Sequence, residues 1–191
     1  MAWLRRGASC GEAQGSPCET QIDKVMIKIV PYRKGYGVEV SELYHLAVHA
    51  IDEAHYSGAQ KRAWSRAPRS GYHWHKRLTR SQAWLAVDTA RLVGKQPCCV
   101  GFINVETHYA SRGYIDSLYV HPDYQGQGIA RQLLQQLASW AVSQGMLELS
   151  VDASSLSRPL FMAEGFRPRH KRYQEKAGQI FMAYYLVKPL I

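Results

Sequence analysis

The stretch Leu118–Leu134, LYVHPDYQGQGIARQLL, joins an apolar run to an amphipathic one through a turn that carries Gly126 and Gly128. Glycine lets backbone N–H groups approach a ligand without side-chain obstruction, and a helix opening near Gly128 adds the positive end of its dipole. Such a turn is an anion cradle. Two common diphosphate loops are excluded. No Gly-Lys-Ser/Thr follows, as a Walker A loop requires, and Arg131 stands where a dinucleotide fingerprint needs its third glycine. A diphosphate with another chemistry is the remaining reading.

Two further groups of residues invite chemical readings. His45 and His49 share a helix face at i and i+4, but no third metal ligand is apparent, so exposed histidines are expected. Cys10, Cys18, Cys98 and Cys99 show neither a C-x-x-C pair nor a disulfide framework, and no metal is expected. The run from Lys61 to Arg80 holds Lys61, Arg62, Arg66, Arg69, Lys76, Arg77 and Arg80 with no acid, interleaved with Trp64, Tyr72 and Trp74. It could grip RNA, but a solvated basic helix pair is the favoured reading.

The elements that must position these residues follow from hydrophobic period. Residues 1–24 have none and are expected to be a disordered extension before one domain, 25–191. Met26–Pro31 alternates as a strand, and Leu43, Leu46, Ala47, Ala50, Ile51 and Ala54 recur at helical spacing after Glu39 and Glu42. Short helices are expected around Trp64 and around Trp74–Leu78, broken by Pro68 and Gly71. Ala83–Asp88 and Cys98–Glu106 form a hairpin across Gly94–Pro97, and Gly113–Val120 is a further strand. Ile129–Val142 is the clearest helix, with Ile129, Leu133, Leu137 and Ala141 on one face and Gly145 at its C-terminal cap. Leu147–Ala153 reads as a strand, Leu156–Ala163 as a short helix, and Phe166–Arg172 with Gln179–Val187 as a closing hairpin around Gly178. That order describes a mixed α/β sheet with helices on its faces.

At the glycine turn the sequence resembles a known family. Gln125, Gly128 and Ala130 match the pyrophosphate motif R/Q-x-x-G-x-G/A of the GNAT acetyltransferases, and Val151–Ser154 (VDAS) and Pro159–Phe166 (PLFMAEGF) resemble that superfamily's fifth strand and fourth helix. Within it, the chain is similar to YafP-like acetyltransferases at Val93-Gly94, Val100–Ile103, His108-Tyr109, Ile115-Asp116, VDAS and Tyr185–Pro189. The resemblance implies the GNAT fold, a mixed and mostly antiparallel central sheet of six to seven strands flanked by about four helices. It also implies acetyl-CoA as co-substrate, held by Leu118, Tyr119, Val120, Gln125, Gly126, Gln127, Gly128, Ile129, Ala130, Arg131 and Ser157. A homodimer is common in the superfamily.

The implied reaction is direct acetyl transfer to a primary amine of a small molecule, peptide or protein within a ternary complex. The amine must lose a proton, the thioester carbonyl must be polarised, and the CoA thiolate must leave. Polarisation is implied to fall to a backbone N–H around Leu118–Val120. Asp116 matches a fourth-strand carboxylate of relatives, as a base or an amine-orienting group; alternatively it pairs with a nearby arginine. Simple alternation puts it on the face of Leu118 and Val120, unless a bulge re-aims it. Tyr119 and His121 are weaker candidates, as a wall residue and a loop-entry residue. The usual tyrosine acid is replaced by Phe161, which cannot donate a proton; Tyr185 is a substitute, or else a core aromatic. Ser157 stands where relatives carry a CoA-contacting Asn, or else makes a local turn bond. The acceptor pocket is expected to draw on His45, His49, His55, Tyr56 and Trp64.

Composition narrows the classes. The net charge of +9 suits a polyanion, either the phosphates of a nucleotide cofactor, a nucleic acid or an acidic partner, with a solvated basic face as the favoured reading. No run approaches the roughly 20 apolar residues of a membrane span, and MAWLRRGASC lacks a secretory core, so a cytoplasmic protein is expected. Three rivals remain: toxin-like acetylation of aminoacyl-tRNA, with nucleic acid not favoured as partner; aminoglycoside acetylation, which the basic charge opposes; and a non-catalytic acyl-CoA-binding module, raised by Phe161.

Overall fold

The computed structural model describes residues 26–108 and 112–190. The expectation for residues 1–24 lies outside them. Seven strands form one sheet: β1 (Ile27–Pro31), β2 (Gln82–Val93), β3 (Gln96–Val105), β4 (Tyr114–Val120), β5 (Glu148–Ala153), β6 (Arg167–Lys176) and β7 (Gln179–Pro189). Their order across the sheet is β1-β2-β3-β4-β5-β7-β6. Every neighbouring pair is antiparallel except β4 and β5, which run parallel.

Five helices cover the sheet: α1 (Gly37–His49), α2 (Gly58–Trp64), α3 (Gly71–Arg80), α4 (Ile129–Ser143) and α5 (Arg158–Ala163). On one face Val40, Leu43, Trp74 and Leu78 of α1 and α3 pack on Leu85 and Phe102. On the other, Leu133, Leu134 and Leu137 of α4 and Phe161 of α5 bury with Ile103, Ile115, Val151 and Leu186. Alternation along β2, β3 and β4 divides their side chains between these two cores.

The expected element order holds, with local differences. α1 ends at His49 although the apolar spacing runs on to Ala54, because Asp52 diverts the backbone. Its carboxylate accepts from the Ala54 N–H at 2.7 Å, and its carbonyl from those of His55 and Tyr56. Gly71 does not break a helix but starts α3, behind the N-cap Ser70. It fits there because α1 and α3 meet at their first residues, where a Cβ on Gly37 would lie 2.2 Å from the Gly71 carbonyl oxygen. Gly145 at the end of α4 adopts φ 63°, as a cap glycine should. His45 and His49 are half-buried rather than exposed. Their rings lie 4.3 Å apart and both bond Ser65 after α2, at 2.9 and 2.8 Å.

Candidate active site

The parallel pair β4/β5 is joined only at Tyr114 with Ser150 and Ile115 with Val151, and beyond them the strands part. β5 stays paired with β7 through Ala153, while β4 follows β3 through Val120. The sheet therefore forks, and a cleft of about 290 Å³ opens through it. In an antiparallel ladder the peptide groups alternate sides. With the His121 N–H donating to the Val100 carbonyl at 2.8 Å, Tyr119 faces β3 and the N–H groups of Leu118 and Val120 turn into the fork.

β4 ends at the glycine turn. Pro122–Tyr124 forms a single 3-10 turn, and Gln125 folds back so that its side-chain amide donates to the Val120 carbonyl at 3.2 Å. Gly126 and Gly128 both take left-handed φ, 77° and 76°. A Cβ on either would meet nothing within 4 Å, so these glycines leave open space as well as supplying the conformation. Gly128 is the N-cap of α4 without a side-chain cap, which leaves the N–H groups of Ile129, Ala130 and Arg131 for a ligand. Ile129 itself is buried, so only its backbone can serve. The Arg131 side chain bonds Glu164 at 2.9 Å, tying the start of α4 to the end of α5. An open concave turn, unspent helix-start donors and a gap between two strands fit a long diphosphate thioester such as acetyl-CoA.

Around the fork the walls carry titratable groups. Asp116 is the extra residue of a bulge, since Val105 pairs with Ile115 and Asn104 with Ser117. The simple-alternation reading fails there. Leu118 and Val120 pack toward α4, but Asp116 reaches α3, where Arg77 grips both its oxygens at 2.6–3.0 Å. Asn104 and the Ser117 hydroxyl also donate to it, each at 3.3 Å. Tyr119 stands beside them, edge-on to Tyr44 at 4.8 Å, and its hydroxyl accepts the Trp64 indole N–H at 3.1 Å. Burial pushes its phenol far above the usual range. Asp152, on β5, accepts from the Tyr114 hydroxyl and from Arg172, at 3.1 and 3.2 Å.

The sequence-based site residues divide accordingly. Asp116, Leu118, Tyr119 and Ser157 line one cleft, and Gln125–Arg131 form its neighbouring turn. Ser157 also makes the local bond foreseen as its alternative, with Ser154 at 3.1 Å. Phe161 is buried against Phe166 and borders the cleft. Tyr185 does not reach the cleft: its ring lies under the Arg172 guanidinium, 3.8 Å away. Within the basic run the arginines and Lys76 are exposed, as a solvated face requires, but Lys61 is not. Lys61 is buried and donates to the Ile51 carbonyl at 2.8 Å, and Arg77 holds Asp116. Sequence reading missed Arg77, Tyr114, Asp152 and Lys176 as wall residues. The VDAS phrase pointed at Asp152 without giving it a role.

Comparison with known proteins agrees with this geometry. The family model described as "Acetyltransferase (GNAT) family" matches residues 45–166. The uncharacterized N-acetyltransferase YafP of Escherichia coli (strain K12) is 32% identical over 84% of this chain and 94% of its own. A GCN5-related N-acetyltransferase from Rhodopseudomonas palustris superposes with a TM-score of 0.72 at 24% identity, covering 85% of this chain and 94% of that one. YncA from Salmonella typhimurium, a structure with its cofactor acetyl-CoA, gives 0.63 at 18% identity, covering 86% and 94%. Among the described residues no cluster of metal ligands occurs, and no helix is long and apolar enough to cross a membrane.

Proposed function

Since this chain belongs to the acetyltransferase (GNAT) family and is an acetyl-CoA-dependent N-acetyltransferase, we propose that it transfers the acetyl group directly to a primary amine entering from the α1–α3 side of the fork. The observation that carries this reading is the fork itself. It opens the sheet between the glycine turn and the acid-lined wall, so donor and acceptor can meet without a covalent enzyme intermediate.

In this reading the turn N–H groups from Gly126 to Arg131 take the diphosphate, and Leu118 or Val120 N–H polarises the thioester carbonyl. Asp116 orients the amine. Arg77 occupies both of its oxygens and fixes their direction, which favours positioning over proton abstraction. Phe161 cannot protonate the departing thiolate, and Tyr185 is out of reach. Tyr56 lines the same cleft, and burial raises its phenol above the usual value, so it keeps a proton to give at neutral pH. The RNA reading is weakened because Lys61 is buried and Arg77 is tied to Asp116, which takes two cations out of the basic run. Aminoglycosides are disfavoured because Lys61, Arg77 and Lys176 outnumber Asp116 and Asp152 on the cleft walls.

An acetyl-CoA turnover assay over a panel of primary amines tests the proposal, with Asp116→Asn beside the native protein. Acetylated product should form, and the variant should raise the acceptor's KM by roughly tenfold or more while kcat at saturation changes less. CoA binding with no acetylated amine would favour the non-catalytic module instead. A loss confined to kcat would return Asp116 to the role of base.

A further inference from the structure

The charges of the cleft do not cancel. Asp116 is matched by Arg77 and Asp152 by Arg172, and Lys61 is spent on the Ile51 carbonyl with Glu53 at 3.8 Å. Lys176, which also lines the cleft, has no carboxylate within 4.0 Å among the described residues. It is nonetheless held in place. Its ammonium lies 4.1 Å over the Trp64 ring, which is clamped edge-on by Phe181 at 4.7 Å and by the hydrogen bond from its indole to Tyr119. The hairpin end that bears Lys176 is fastened to α2 by Gln60, which donates to the Ile180 carbonyl at 3.2 Å. An ordered cation with no counter-ion, at the wall away from the glycine turn, is a recognition device rather than a loose surface lysine.

We propose that Lys176, stacked on Trp64, is the counter-ion for an anionic group on the acceptor, so that the acetylated amine belongs to a molecule that also carries a carboxylate or phosphate. The assignment rests on the amine-acetyltransferase reading for which group reacts, but the anion site stands on its own geometry. Burial, reinforced by the cations Arg77 and Arg69, lowers the Lys176 pKa, as expected of an amine among surplus positive charge. An acceptor bringing only an ammonium would meet that surplus unrelieved. A zwitterion brings its own relief: its amine goes toward Asp116 and its anion toward Lys176.

Matched probes separate the possibilities: several α-amino acids each against its carboxamide, and O-phosphoethanolamine against ethanolamine. Turnover is measured for each, and so is calorimetric binding of the N-acetylated amino acids and amides to the CoA-loaded protein. The anionic member of each pair should be favoured about tenfold or more, a difference of roughly 1.4 kcal/mol. Preference in the amino-acid pairs alone would identify a carboxylate, and in the phosphate pair alone a phosphate; either supports the site. Lys176→Met should erase the difference within each pair, Lys176→Arg should keep it, and Lys176→Glu should reverse it. Equal binding of both members by the native protein would overturn the proposal, as would a Lys176→Met loss that is the same for both. If no amine is acetylated while the binding preference is present and depends on Lys176, the transferase reading fails and the anion site survives.

Discussion

Asp116 keeps its position through a partner 39 residues away, the Arg77 of an otherwise surface-like basic run. Spacing rules see neighbours in sequence, so that pairing was open only as an alternative, with no particular arginine of the basic run singled out for it. Tyr56 offers the sharper test of the chemistry. Tyr56→Phe removes one hydroxyl and leaves the ring against Phe181, so kcat should fall roughly 10²-fold with acceptor KM nearly constant, as steady-state kinetics can check. An unchanged kcat would mean that the thiolate leaves without help from this phenol. His45 supplies a pH test. Burial and the neighbouring His49 lower its pKa, so the folded state holds the proton less tightly than the unfolded chain. Its contribution to stability is therefore present above the ordinary imidazole value of about 6.5 and is lost as pH falls below it. The melting temperature should drop more between pH 7.5 and 5.5 in the native protein than in His45→Gln, and parallel curves would contradict this.

Among the elements, the glycine turn and α4 were fully legible in sequence, because positive-φ glycines and a 3.6-residue period are local signals. The bulge in β4 was not. One extra residue leaves the apolar pattern intact while turning Asp116 to the other face, and only the register with β3 reveals it. The end of α1 was misread for a related reason, since a side-chain oxygen at Asp52 overrode an unbroken apolar spacing. The turn permits a graded test. Gly128→Ala must hold φ 76° with a Cβ that touches nothing, so it should cost about 1–2 kcal/mol of stability while CoA still binds. Gly128→Asp adds a negative charge where the diphosphate is expected, and calorimetry should find CoA affinity lower by at least about tenfold. Equal affinities for the two variants would move the cofactor site elsewhere.

At the scale of the whole molecule, two half-sheets share one apolar core through α4 and α5 yet are sewn together by two residue pairs of β4 and β5. A mixed, mostly antiparallel sheet of six to seven strands was expected from the run of elements and the family resemblance, whereas the order of the strands across it and the reach of the gap depend on which strands pair and where pairing stops, which no single segment encodes. The gap has a consequence for amide deuterium exchange. Along β4, Ser117 and Tyr119 donate into the ladder with β3, while Leu118 and Val120 have no strand opposite them. Alternate amides of one rigid, half-buried strand should therefore exchange at rates that differ by orders of magnitude, although ordinary strands protect their inner amides together. Added CoA should slow Leu118 and Val120 and leave Ser117 and Tyr119 as they were. A β4 that is uniformly slow without CoA would mean that the strands close in solution. The fast pair would instead mark a stationary opening, kept by the protein before any substrate arrives.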